Sequence, residues 1–123
     1  MSYEHWKTLH LLGVILLFSA FGALLVLALN DRTREVNRGR TFAMAVHGAS
    51  MLLIIGAGIA IIGKPEANID GMPAWVWAKV ILWLLLGSAV MVIKRAPRSV
   101  FVMWLLLPLI GAVAAHLGLN RGF

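Results

Sequence analysis

The chain of 123 residues has no cysteine. That absence removes disulfides, thiolate metal sites, iron–sulfur clusters and thioether-attached haem together, so any cofactor must be held by other ligands. Charge is scarce as well: 13% of residues are charged and 61% are hydrophobic, too apolar a balance for an ordinary soluble globule. The acids are only Glu4, Asp31, Glu35, Glu66 and Asp70, and none falls inside a long apolar run. A carboxylate-driven proton pump or cation transporter needs an acid at depth, which argues against that class. Phosphate-binding glycine loops, nucleophile motifs and paired intramembrane carboxylates are missing too. With few polar residues to line a path and no detectable inverted repeat, a small transporter or channel is a weak reading.

What the sequence does have is four apolar runs, at 9–29, 42–63, 74–93 and 100–119. Each is about twenty residues long, which at roughly 1.5 Å per residue matches a hydrocarbon core of about 30 Å. Spanning segments must satisfy their backbone polar groups internally, so these runs are expected to be helices. The connections between them are short, so consecutive helices should pack as antiparallel neighbours. The expected fold is all-α: one transmembrane domain over 1–123, an integral membrane four-helix bundle of up-down-up-down order. The first run is too long for the apolar region of a secretory signal and no small-residue cleavage site follows it, so it reads as a helix of the mature protein.

The net charge of +6 has a membrane explanation rather than a nucleic-acid one. Arg32, Arg34, Arg38 and Arg40 lie between the first and second runs, and Lys94, Arg95 and Arg98 between the third and fourth; Lys7, Lys64 and Arg121 fall on the other side. The positive-inside rule makes the two basic connections cytoplasmic and both termini outward, which for a bacterium means periplasmic ends in the inner membrane. The basic connections are also suited to anionic lipid headgroups. Asn30 is positioned to end the first helix and Gly39 offers a turn before the second. Pro73 opens the third, Pro97 marks the next break, and Ser99 suits an N-cap for the fourth. Gly56, Ala60 and Gly63 recur at helical spacing as a small-residue strip, which predicts an internal packing seam, with an oligomer contact as the lesser reading. Pro108 and Gly111 should bend or loosen the fourth helix.

Ionisable residues inside membrane helices are costly and tend to face an interior or a pathway. Here they are His10, His47, Lys79 and His116. The topology puts His10, Lys79 and His116 in one outer layer on three helices, with His47 apart toward the cytoplasmic side. Imidazole is a good axial ligand for haem iron, and bundles build cofactor sites from facing helices. His10 and His116 are therefore candidate ligands of a b-type haem, and Lys79 is a candidate ligand or propionate partner. The plainer alternatives are interfacial histidines and a lysine that snorkels to the headgroups beside Trp75 and Trp77. His47, next to Gly48 and followed by Ser50, reads as a hydrogen bond across a helix seam, or else as a second polar site.

The stretches WKTLHLLGVILLF and WVWAKVILWLLLG resemble the small bacterial membrane families typified by SirB and by HemJ, a haem-associated protoporphyrinogen oxidase, and more distantly the CopD copper-resistance domain. The likeness covers most of the chain as topology, and the helix 1 "LH" and helix 3 "K" as motif. It implies that His10 and Lys79 are a functional pair associated with b-type haem, serving electron transfer or porphyrin redox chemistry. A reading from a different class is a non-catalytic accessory subunit of a larger membrane complex, or a homo-oligomer, in which these residues only pack.

Overall fold

A computed structural model describes residues 1–30, 38–95 and 97–120. Four helices account for nearly all of them: α1 Tyr3–Asn30, α2 Arg38–Ile62, α3 Ala74–Arg95 and α4 Val100–Leu119. All four are long and apolar enough to cross a membrane. The chain is thus an all-α four-helix bundle of membrane-spanning segments. Asp31, Arg32, Arg34, Glu35 and Arg121, used above to read the loops and the topology, lie outside the described residues.

The boundaries follow local chemistry. α4 runs over 100–119 as expected, and α1 ends at Asn30. At its other end α1 begins six residues earlier than the hydropathy, because Ser2 is an N-cap: its Oγ accepts the His5 N–H at 3.3 Å and also pairs with the His5 ring at 2.6 Å. Such a cap satisfies an otherwise orphan amide of the first turn. Glu4 therefore sits in the first turn of α1 rather than outside the helices, where its charge suits the positive end of the helix dipole. Gly39 likewise lies within the first turn of α2 and not in a turn before it. Between α2 and α3 the chain makes a short 3-10 turn at Pro65–Ala67, closed by Asn68 in the left-handed region. The Pro73 carbonyl then accepts the Val76 and Trp77 amides, so Pro73 starts α3 as its sequence implies. Ser99 occupies the N-cap position of α4, but its side chain makes no capping hydrogen bond.

The helices form two hairpins. α1 packs most extensively on α2 and α3 on α4, while α1 also touches α3 and α4, and α2 touches α3. α1 is accordingly the most buried span and α4 the least. The shared core is built from Leu17, Phe21 and Leu25 of α1, Leu86 and Val90 of α3, and Leu107 of α4.

The α1–α2 seam closes at Gly13. A Cβ there would stand 2.9 Å from Ile54 Cγ1 and 3.3 Å from the Ile54 backbone nitrogen, so only glycine permits this approach. The strip expected to form the seam does not form it. Gly56 and Gly63 are exposed, and a Cβ on Gly56 would meet nothing within 4 Å. Ala57, one position on, is the buried small residue, at 1% exposure. A small-residue strip is visible in sequence, but which face of an all-apolar helix points inward is not, because lipid and core are equally apolar. On α4, Pro108 lies within a continuous helix, and Gly111 one turn on leaves a notch for the Phe18 ring, whose Cζ would be 2.6 Å from an added Cβ.

Candidate functional site

His10 lies two turns into α1, half-buried, and its ring turns toward α2. Nδ1 is 2.9 Å from the Ile54 carbonyl oxygen. A carbonyl only accepts, so Nδ1 carries a proton and donates; in the neutral ring this leaves the lone pair on Nε2. Gly58 makes room for this ring, since a Cβ there would already touch Cε1 at 3.4 Å. An imidazole whose Nδ1–H is held by a backbone carbonyl has the orientation and tautomer that metal-ligating histidines commonly show.

Lys79 is the residue that shares this environment. It is half-buried on α3, and its charge acts on the His10 ring. Its ammonium reaches across to the last turn of α4, where Nζ lies 3.0 Å from the point a Cβ on Gly118 would occupy. The amino group therefore lies beside the carbonyl-rich C-terminus of a helix, a favourable place for a cation, rather than extending away along its own helix. The flanking tryptophans divide: Trp75 is buried and Trp77 is 54% exposed, so only Trp77 is available to an interfacial belt. Trp83, one turn beyond Lys79, donates from Nε1 to the Met51 carbonyl of α2 at 3.0 Å.

His116 stands differently from its sequence expectation. It is exposed, and its Nδ1 is paired with the Asn120 side-chain amide at 3.1 Å. Residues two apart on a helix point about 200° apart, so His116 faces away from the Gly118 surface that receives Lys79. Of the three ionisable groups expected in one layer, Lys79 lies within electrostatic reach of His10, while His116 is turned to Asn120. Helix number and depth are legible from sequence; rotation about the axis of an almost wholly apolar helix is not.

His47 is buried to 7% exposure, lies against the Leu86 backbone, and stacks edge-on to Phe21 with ring centroids 5.3 Å apart. Its Nε2 is buried without a hydrogen-bond partner. It fits a residue at a seam between α1, α2 and α3, about two turns along α2 from Ile54, the acceptor of His10. Nearby Ser50 donates to the Val46 carbonyl of its own helix at 2.6 Å.

Among the described residues no three His, Cys, Asp or Glu side chains gather as a metal set. A haem makes a smaller demand, since the porphyrin supplies the equatorial nitrogens and the protein only the axial positions. The donor set at His10 fits that demand: one oriented imidazole with a free nitrogen, and one cation beside it that suits a carboxylate substituent. No family model, curated protein or solved structure matches the chain, so the roles of His10 and Lys79 follow from their own geometry.

Proposed function

We propose that this protein holds a b-type haem or a related porphyrin at one end of the bundle and serves electron transfer or porphyrin redox chemistry in a bacterial inner membrane, with both termini periplasmic. The observation that carries the reading is the His10 ring, held through Nδ1 by the Ile54 carbonyl and within the electrostatic reach of Lys79. His10 would supply a nitrogen to the iron. Lys79 would pair with a propionate or, in its neutral form, serve as a second ligand. The bound group would contribute one-electron chemistry at iron; the protein's own part is to orient the imidazole, supply a cation within its electrostatic reach and keep the surroundings apolar. The test is the absorbance spectrum of the purified protein, reduced minus oxidised, with and without added haem. A Soret band that is lost in His10→Ala is expected, and no Soret band even after haem is supplied overturns the proposal.

A second reading has its own support. Four polar side chains within the spans reach the backbone of a neighbouring helix: His10 and Trp83 on α2, His47 on α3, Lys79 on α4. This pattern suits a non-catalytic subunit whose polar groups serve assembly, within a larger membrane complex or a homo-oligomer. In that case His10→Ala and Lys79→Ala remain functional in the cell, whereas bulky residues on the close-packed seam at Gly13 abolish assembly.

A further inference from the structure

The two ends of the bundle differ in charge among the described residues. At the end formed by Tyr3 of α1, the α2–α3 connection and the last turn of α4, Lys7 and Lys64 are mixed with Glu4, Glu66 and Asp70, and Lys7 is folded over the Tyr3 ring at 5.0 Å. At the opposite end the described side chains include Arg40 at the start of α2, Lys94 and Arg95 in the last turn of α3, and Arg98 in the turn before α4; the sequence of the α1–α2 connection at this end adds Arg32 and Arg34 alongside Asp31 and Glu35, so basic residues outnumber acidic ones there. Lys94, Arg95 and Arg98 are exposed. Directly beneath them the core is closed by Ala43, Ile93 and Val100, each buried, so the cations are carried on ends of three helices that pack on one apolar cluster.

Two aromatic rings frame this collar. Phe42, two residues after Arg40, is 70% exposed, and Phe101, three residues after Arg98, is 68% exposed. An exposed phenylalanine one step deeper than a cation presents apolar surface to acyl chains while the cation meets the headgroup layer above, the pairing a membrane interface favours.

We propose that this collar is a binding surface for anionic phospholipid headgroups, with Arg40, Lys94, Arg95 and Arg98 contacting the phosphates and Phe42 and Phe101 the upper acyl chains. It selects phosphatidylglycerol-type over zwitterionic lipid, and it is independent of whether His10 holds a haem. The chemistry is attraction between clustered cations and phosphodiester anions at a low-dielectric boundary, which salt weakens.

The experiment uses the full chain in nanodiscs of mixed phosphatidylglycerol and phosphatidylcholine, followed by native mass spectrometry of the retained lipid. Wild type is expected to retain phosphatidylglycerol preferentially, less so at high salt, and about fivefold more weakly for each cation replaced by glutamine. A Lys7→Gln, Lys64→Gln double variant, at the mixed-charge end, keeps the wild-type preference. Because these cations also govern insertion, the variants are made singly as well as together, and the salt series on wild type is read alongside them. Equal retention of both lipids by wild type, or an undiminished preference in the variants of Arg40, Lys94, Arg95 and Arg98, overturns the proposal. So does loss of bound lipid to millimolar inorganic phosphate, which would mark a free-anion site instead.

Discussion

The sharpest test of the packing compares one methyl group at two glycines. At Gly13 an alanine Cβ lands 2.9 Å from Ile54 Cγ1 and 3.3 Å from the Ile54 backbone nitrogen, where carbon atoms prefer about 3.5–4.0 Å. The side-chain atom can turn aside, but the backbone nitrogen moves only if α2 moves. Overpacking of this kind costs about 1–3 kcal/mol. At Gly56 the same methyl meets nothing within 4 Å. Both substitutions gain the same helix propensity, about 1 kcal/mol relative to glycine, so that contribution cancels in the comparison and Gly13→Ala should be about 1–3 kcal/mol less stable than Gly56→Ala. The assay is equilibrium unfolding in mixed micelles, followed by the fluorescence of the tryptophans. Equal stability, or a greater loss at Gly56, would refute the assigned seam and return it to the Gly56, Ala60 and Gly63 face.

Three further outcomes are expected. Trp83→Phe removes the donor to the Met51 carbonyl and should lower stability in the same assay by about 0.5–1.5 kcal/mol. His47→Leu removes a buried Nε2 that has no partner, relieving a cost of about 1–3 kcal/mol, and with it the ring's hydrogen bond to the Leu86 backbone, which contributes about 0.5–1.5 kcal/mol; the two oppose each other, so the variant should be about as stable as wild type, and a loss above about 2 kcal/mol would refute the reading of Nε2 as unpaired. Ser2→Ala removes the cap of α1 and should weaken its first turn by about 0.5–2 kcal/mol, seen as faster amide hydrogen exchange at His5 and Trp6 with the rest of α1 unchanged.

The four spans, their order and the limits of α4 were legible because length and hydropathy report on membrane crossing directly. The start of α1 was missed although its signal, Ser2 three residues before His5, is present in the sequence; the polar residues Tyr3 to Lys7 hide it from hydropathy. Within the candidate site, the His10 ring turns to α2 and the Lys79 ammonium to α4, partners that depth along the helices did not indicate. What could not be read was rotation. Gly56 and Ala57 differ by one position and about 100°, yet one is exposed and the other buried, and the same uncertainty sends His116 away from Lys79. The partners that matter most to His10 and Lys79, the Ile54 carbonyl and the space over Gly118, belong to the backbone, and sequence names no backbone partner.

The reach of Lys79 to Gly118 also bears on how the bundle is made. Helices enter the bilayer in the order of synthesis, and His10 finds its acceptor as soon as α2 has followed α1. Trp83 meets an α2 already in place. Lys79 must wait for the last turn of α4. His10 and its acceptor are thus joined within the first hairpin, whereas His47 waits for the Leu86 backbone of α3 and Lys79 for α4, so the polar contacts of the bundle close in the order in which its helices arrive.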